Sequence, residues 1–144
     1  MVRILFFFLF CSLNAQRVEP MRDCFCNTYP SSNTLRKYYN PNHSLSISSK
    51  NSKVFSLSDG IVSKIIKNGN SNSIVIKSDS LFFIYSNIVN IPKKITPQQL
   101  IKKNEIIGKG NFSNKNYSIE IQIYKGIELL PDIAEYIKCS YYSK

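Results

Sequence analysis

Residues 117 to 126 read YSIEIQIYKG, and that rhythm leaves the backbone little choice. Tyr117, Ile119, Ile121 and Ile123 alternate with Ser118, Glu120, Gln122 and Tyr124. A period of two belongs to a strand with one apolar and one polar face, and the β-branched isoleucines suit a pleated surface. A polar row this regular either faces solvent or lines a site.

Shorter segments of the same kind precede it. KVFSLS begins at Lys53 as a short alternating strand, Asp59 and Gly60 form a turn, and GIVSKIIK is a second strand. NGNSN at 68–72 is a strong turn signal. SIVIK and LFFIYSNI follow as strands joined around Ser78 to Ser80. TPQQLIKKNEIIGKG supplies a connecting segment and a strand ending at Gly108 and Gly110, and LPDIAEYIKC closes the chain as a turn or short helix near Pro131. Many short strands punctuated by turns indicate a mostly β fold, a single antiparallel sandwich or barrel-like sheet domain. Residues 16–41, with Pro20, Pro30 and Pro41 and little apolar periodicity, read as an irregular lead-in.

The first residues, MVRILFFFLFCSLNAQ, have a basic residue at Arg3, an apolar run from Ile4 to Phe10, and Leu13 and Ala15 at cleavage positions. This layout is that of a secretory signal peptide over residues 1–15, with a run too short to span a bilayer. Bulky Phe10 before Cys11 argues against lipid attachment there. The expected product is exported to a periplasm or cell surface. Export permits disulfides, and Cys24, Cys26 and Cys139 remain after cleavage. Cys24 and Cys26 are too close to bridge comfortably, so a bond from either to Cys139 is expected.

With 19 Lys and Arg against 9 Asp and Glu, the chain carries a formal charge of +10. Its lysines are scattered rather than clustered, and no recognition helix is visible, which argues against nucleic acid. Anionic envelope polymers or lipid headgroups are what this charge would attract in an exported protein.

The order SDGIVSKIIKNGNSNSIVIKSDSLFFIYSNI, then IKKNEIIGKG, then YSIEIQIYKGIELLPDIAEYI resembles the core of the LytM and lysostaphin type of peptidoglycan metallopeptidases. In that family a D-G-x-V turn, a G-N-x-V-x-I strand and a Y-x-H-L strand are followed by V-x-x-G-x-x-I-G, H-L-H-F-E-I and G-x-x-x-x-P. The resemblance covers residues 42–137 and leaves 138–144 as a tail. It implies the family's sheet, with a site where two histidines and an aspartate hold zinc, and two more histidines assist. Zinc keeps an open position there for a water whose pKa it lowers.

Carried over position by position, the resemblance finds other residues. The H-x-G-x-D motif falls on NHSLS, placing Asn42 at the histidine and Ser46 at the aspartate. YSNI puts Asn87 at one assisting histidine, while SIEIQI puts Ser118 at the other and Glu120 at the third ligand. His43, the sole histidine, stands one place from a ligand position. His43 and Glu120 are two ligands without a third, too few for a zinc site of useful affinity.

Other chemistries lack their residues as well. Serine or cysteine catalysis has only His43 as a base, no G-x-S-x-G elbow exists, and Asp59, Asp79, Glu105, Glu120 and Glu128 form no evident glycosidase pair. The implied function is therefore a non-catalytic module with no metal and no cofactor. Asn42, His43, Ser46, Asn87, Ser118 and Glu120 would line its binding surface for peptidoglycan or an envelope protein such as an amidase. An active cell-wall metalloendopeptidase with atypical ligands and a basic structural envelope protein are the alternatives. Bulky replacements at Asn87 or Glu120 are expected to abolish binding and spare folding, since both lie on polar strand faces.

Overall fold

The computed structural model describes residues 17–27, 44–130, 133 and 136–141. Among them are eleven strands and no helix: β1 (Phe25–Cys26), β2 (Leu45–Ser49), β3 (Lys53–Phe55), β4 (Gly60–Asn68), β5 (Ser71–Ser78), β6 (Leu81–Val89), β7 (Leu100–Ile101), β8 (Ile106–Ser113), β9 (Asn116–Lys125), β10 (Glu128–Leu129) and β11 (Ser140–Tyr141). They form one curled sheet in the order β11-β1-β2-β9-β8-β6-β5-β4-β7, with β10 on β9 and β3 on β8. The architecture is all-β and almost wholly antiparallel, the exceptions being the β1–β11 pairing and a bridge between Val18 and Ile137.

Strand β9 is the centre of the molecule. One edge carries β2 and β10, while the other carries β6 and the base of β8. Its alternation sorts the faces as the sequence reading expects. Ile119, Ile121 and Ile123 are fully buried, whereas Ser118, Glu120, Gln122 and Tyr124 are half-buried on the opposite face. Burying each isoleucine contributes about 1.5–3 kcal/mol. Leu45 and Ile47 of β2, Phe83 and Tyr85 of β6, and Ile74 and Ile76 of β5 extend the same apolar face by register. The buried Tyr85 hydroxyl accepts a hydrogen bond from the Leu57 amide at 2.9 Å, which ties the β3–β4 connection to the core.

The ends of the chain belong to the sheet more than their composition suggests. Within the lead-in, Val18, Met21, Cys24 and Cys26 are buried, and β1 pairs with β2. In the tail, β11 lies parallel to β1, and a Cys24–Cys139 disulfide joins the two ends. Irregular composition hides these two-residue strands because no alternation can be read over such a span. The closing segment shows a turn at Tyr136 and a bridge at Ile137, with 131, 132, 134 and 135 outside the described residues.

Glycine also misleads at the boundary of β8. Gly108 and Gly110 do not end the strand but lie inside it. A Cβ on Gly108 would stand 2.5 Å from the Ile88 Cγ2, and one on Gly110 would stand 2.9 Å from the Met21 Cε. These glycines permit close packing between strands rather than a turn. Asp59 precedes β4, and Gly60 is its first residue for the same reason: a Cβ there would run into the Lys77 carbonyl oxygen.

Candidate functional site: the polar face of the central strands

Four strands bring polar side chains to the non-core side of β9. Glu120 faces Ser46 of β2 across one edge and Ser86 of β6 across the other. Ser118 faces Ser48 of β2 and Asn111 of β8. As residues i and i+2 of a strand, Ser118 and Glu120 lie on the same face about 7 Å apart.

These groups are bonded to one another. The Ser44 hydroxyl donates to Glu120 Oε2 at 3.1 Å, and the Ser73 and Ser86 hydroxyls are 2.9 Å apart. The Asn27 amide donates to the Ser46 and Ser48 hydroxyls at 2.8 and 2.9 Å, and Ser48 donates back at 3.2 Å. Ser44, Ser46 and Ser48 are only 3%, 8% and 5% exposed, so these bonds replace water that the hydroxyls have lost. The Ser44 hydroxyl is thus one of the partners of the Glu120 carboxylate.

Asn87 occupies a different kind of position from the one expected. Strand β6 pairs with β9 through Ser86 and with β8 from Ile88, so Asn87 stands where it changes partner. Its backbone takes a left-handed φ of 65°, a conformation that asparagine tolerates better than most residues. The side-chain amide then spans the junction, donating to the Ser118 carbonyl at 3.1 Å and the Ser118 hydroxyl at 3.3 Å, and accepting from Asn111 at 3.0 Å. A bulky replacement here would disturb folding. A place on a polar face alone suggests that such a variant would spare folding, and its urea unfolding decides between the two.

Of the expected site residues, Ser46 and Glu120 form a cross-strand pair, and Asn87 and Ser118 are bonded to each other, the two pairs lying side by side along β9. Asn42 and His43 lie outside the described residues. Asn27, Ser44, Ser48, Ser73, Ser86 and Asn111 complete the constellation and were not anticipated. The signal for Ser44 and Ser48 was present: SLSIS alternates serine with Leu45 and Ile47 over 44–48, a strand pattern obscured by its alignment to a ligand motif. Asn27, Ser73, Ser86 and Asn111 are brought there by register alone.

Chemically, the face offers hydroxyls, carboxamides and one carboxylate. The half-buried Asn87, Ser118 and Glu120 carry groups of the kinds that recognition of a peptide backbone requires, whereas Ser44, Ser46 and Ser48 are buried and bonded within the fold. Among the described residues no group of three or more histidine, cysteine, aspartate or glutamate side chains is placed to hold a metal ion.

No family model matches the chain, and no curated protein does. Solved structures are similar to it in fold. Csd3 of Helicobacter pylori superposes with a TM-score of 0.65 at 20% identity, over 86% of this chain and 34% of that one. The catalytic domain of the prophage-encoded M23 protein EnpA from Enterococcus faecalis, in the form of a point mutant, gives 0.52 at 18% identity over 69% and 78%. The fold is LytM-like. A chain of the SpoIIQ–SpoIIIAH pore-forming complex gives 0.59 at 15% identity, over 85% of this LytM-like chain and 92% of that one. The chain thus spans about a third of the length of Csd3. At these identities the likeness concerns the sheet and its topology.

Proposed function

We propose that the chain is an exported, non-catalytic LytM-like module that binds a peptide segment in the cell envelope, from peptidoglycan or from an envelope protein. The observation that carries this reading is the pairing of Ser46 with Glu120 beside the bonded pair of Asn87 and Ser118. The metallopeptidase resemblance puts metal ligands and assisting histidines at these four positions. This chain has two hydroxyls, a carboxamide and one carboxylate there, with Asn87 bonded to Ser118, Ser46 to Asn27 and Glu120 to Ser44. Such a surface can hold a peptide by hydrogen bonds and has no imidazole at those positions to bind zinc or move a proton.

Support for an envelope setting comes from the LytM-like fold and from the apolar amino-terminal run. Support for a protein partner comes from SpoIIQ–SpoIIIAH, whose fold likeness is joined to assembly in a complex.

The test is binding of purified peptidoglycan fragments, and co-purification of envelope proteins, by the wild type and by a Glu120→Lys variant shown to be folded. Loss of one of these interactions in the variant is the expected result. Equal binding by both proteins would place the working surface elsewhere.

A further inference from the structure

A second feature lies away from the polar face and shares no residue with it. Arg17, Arg22, Lys103 and Lys138 line one pocket of about 190 Å³ together with Val18, Glu19 and Asn104. Four cations surround it, with Glu19 as the one carboxylate in the lining.

Three distant pieces of chain are fixed in place to build it. The Val18 amide donates to the Tyr136 carbonyl at 3.2 Å, and the Lys138 amide donates to the Val18 carbonyl at 2.8 Å. The Cys24–Cys139 disulfide locks that clamp one residue beyond Lys138. Asn104 donates its amide to the Ser56 carbonyl at 2.9 Å, while the Lys103 amide is held by Asp59 Oδ1 at 2.8 Å. The Arg22 guanidinium carbon lies 4.7 Å from the centroid of the Phe55 ring, a cation–π contact at the edge of the pocket.

We infer that this pocket binds the phosphate group of a phosphate ester. The pocket, at about 190 Å³, has room for a phosphate group. Guanidinium groups match phosphate oxygens with paired hydrogen bonds, and lysine ammoniums add point charge. Backbone bonds and a disulfide hold the three segments that carry these like charges side by side, and a bound phosphate anion offsets the repulsion among them. Diffuse attraction by the basic chain as a whole would need no such convergence.

The test titrates inorganic pyrophosphate into the purified chain with its disulfide intact, by calorimetry. Vesicles of phosphatidylcholine with and without phosphatidylglycerol form a second arm. An Arg22→Gln/Lys103→Gln variant is compared with Lys64→Gln/Lys67→Gln on β4, which removes the same charge elsewhere. The pocket variant should lose at least about tenfold in pyrophosphate affinity, and the β4 variant less than about twofold. Lys138→Gln, which leaves the Phe55 contact intact, should weaken binding in the same direction. Pyrophosphate binding without vesicle binding identifies a soluble or polymer-borne phosphate, and vesicle binding lost with the pocket variants identifies a lipid headgroup; both support the inference. Absence of pyrophosphate binding, or equal losses in the pocket and β4 variants, overturns it.

Discussion

Asn87 shows how one side chain can serve the fold at the position where the family's chemistry would stand. Its amide joins three strands at a point where backbone pairing changes hands, and its φ of 65° suits asparagine. Replacement by leucine removes those bonds and strains the backbone. The expected loss is about 2–4 kcal/mol in urea unfolding. Tyr85 and Cys26 carry a second prediction. Burial pushes each up to about 12, the tyrosine from 10.0 and the thiol from 9.0, while hydrogen bonds at Leu57 and Ser56 act the other way on Tyr85. The folded chain therefore holds both protons more tightly than the unfolded chain. Stability from this source is intact below pH 9, falls as pH rises through 9 and 10, and is gone by about pH 12. Unfolding measured between pH 8 and 11.5 should show this fall, and a Cys26→Ala/Tyr85→Phe double variant should show a shallower one.

At the scale of elements, legibility follows the length of the alternation. Strands β4, β5, β6 and β9 have eight to ten residues each, and their apolar rows stand out in the amino-acid sequence. Strand β2 is harder to read, because it has only five residues and three of them are serine. Its serines are dry only because Asn27 and neighbouring strands supply partners, a fact of register that composition cannot carry. Part of the site is legible through family resemblance, as with Glu120 and Ser118. The contribution of Asn27 is not, since it depends on a two-residue strand from the far end of the chain. The disulfide is anticipated as a bond to Cys139 from either nearby cysteine, and the structure selects Cys24, leaving Cys26 a buried free thiol. Joining residues 115 apart removes much of the freedom of the unfolded chain, although native strain and residual structure temper the gain. Cys139→Ser should lower stability by about 2–5 kcal/mol in chemical denaturation, and the terminal strands β1 and β11 should lose hydrogen-exchange protection first.

For the whole molecule, the sheet separates two kinds of surface. Around β9 lies a bonded polar face suited to a peptide, and near the stapled ends lies a small basic pocket suited to a phosphate. The charge of +10 need not act as a uniform coat, since much of it is dispersed on exposed lysines such as Lys64, Lys67 and Lys102. A surface ion pair such as Lys94–Glu105, at 3.6 Å with the lysine exposed and the glutamate half-buried, contributes only about 0–1 kcal/mol and does little to organise the fold. On the proposed function, this LytM-like sheet binds without cutting. The most direct test of this is to incubate the purified chain with zinc, remove the excess, and measure bound metal together with turnover of purified peptidoglycan. The expected result is no stoichiometric zinc and no cleavage. One zinc per chain with cleavage would contradict the claim and make His43 the first residue to replace.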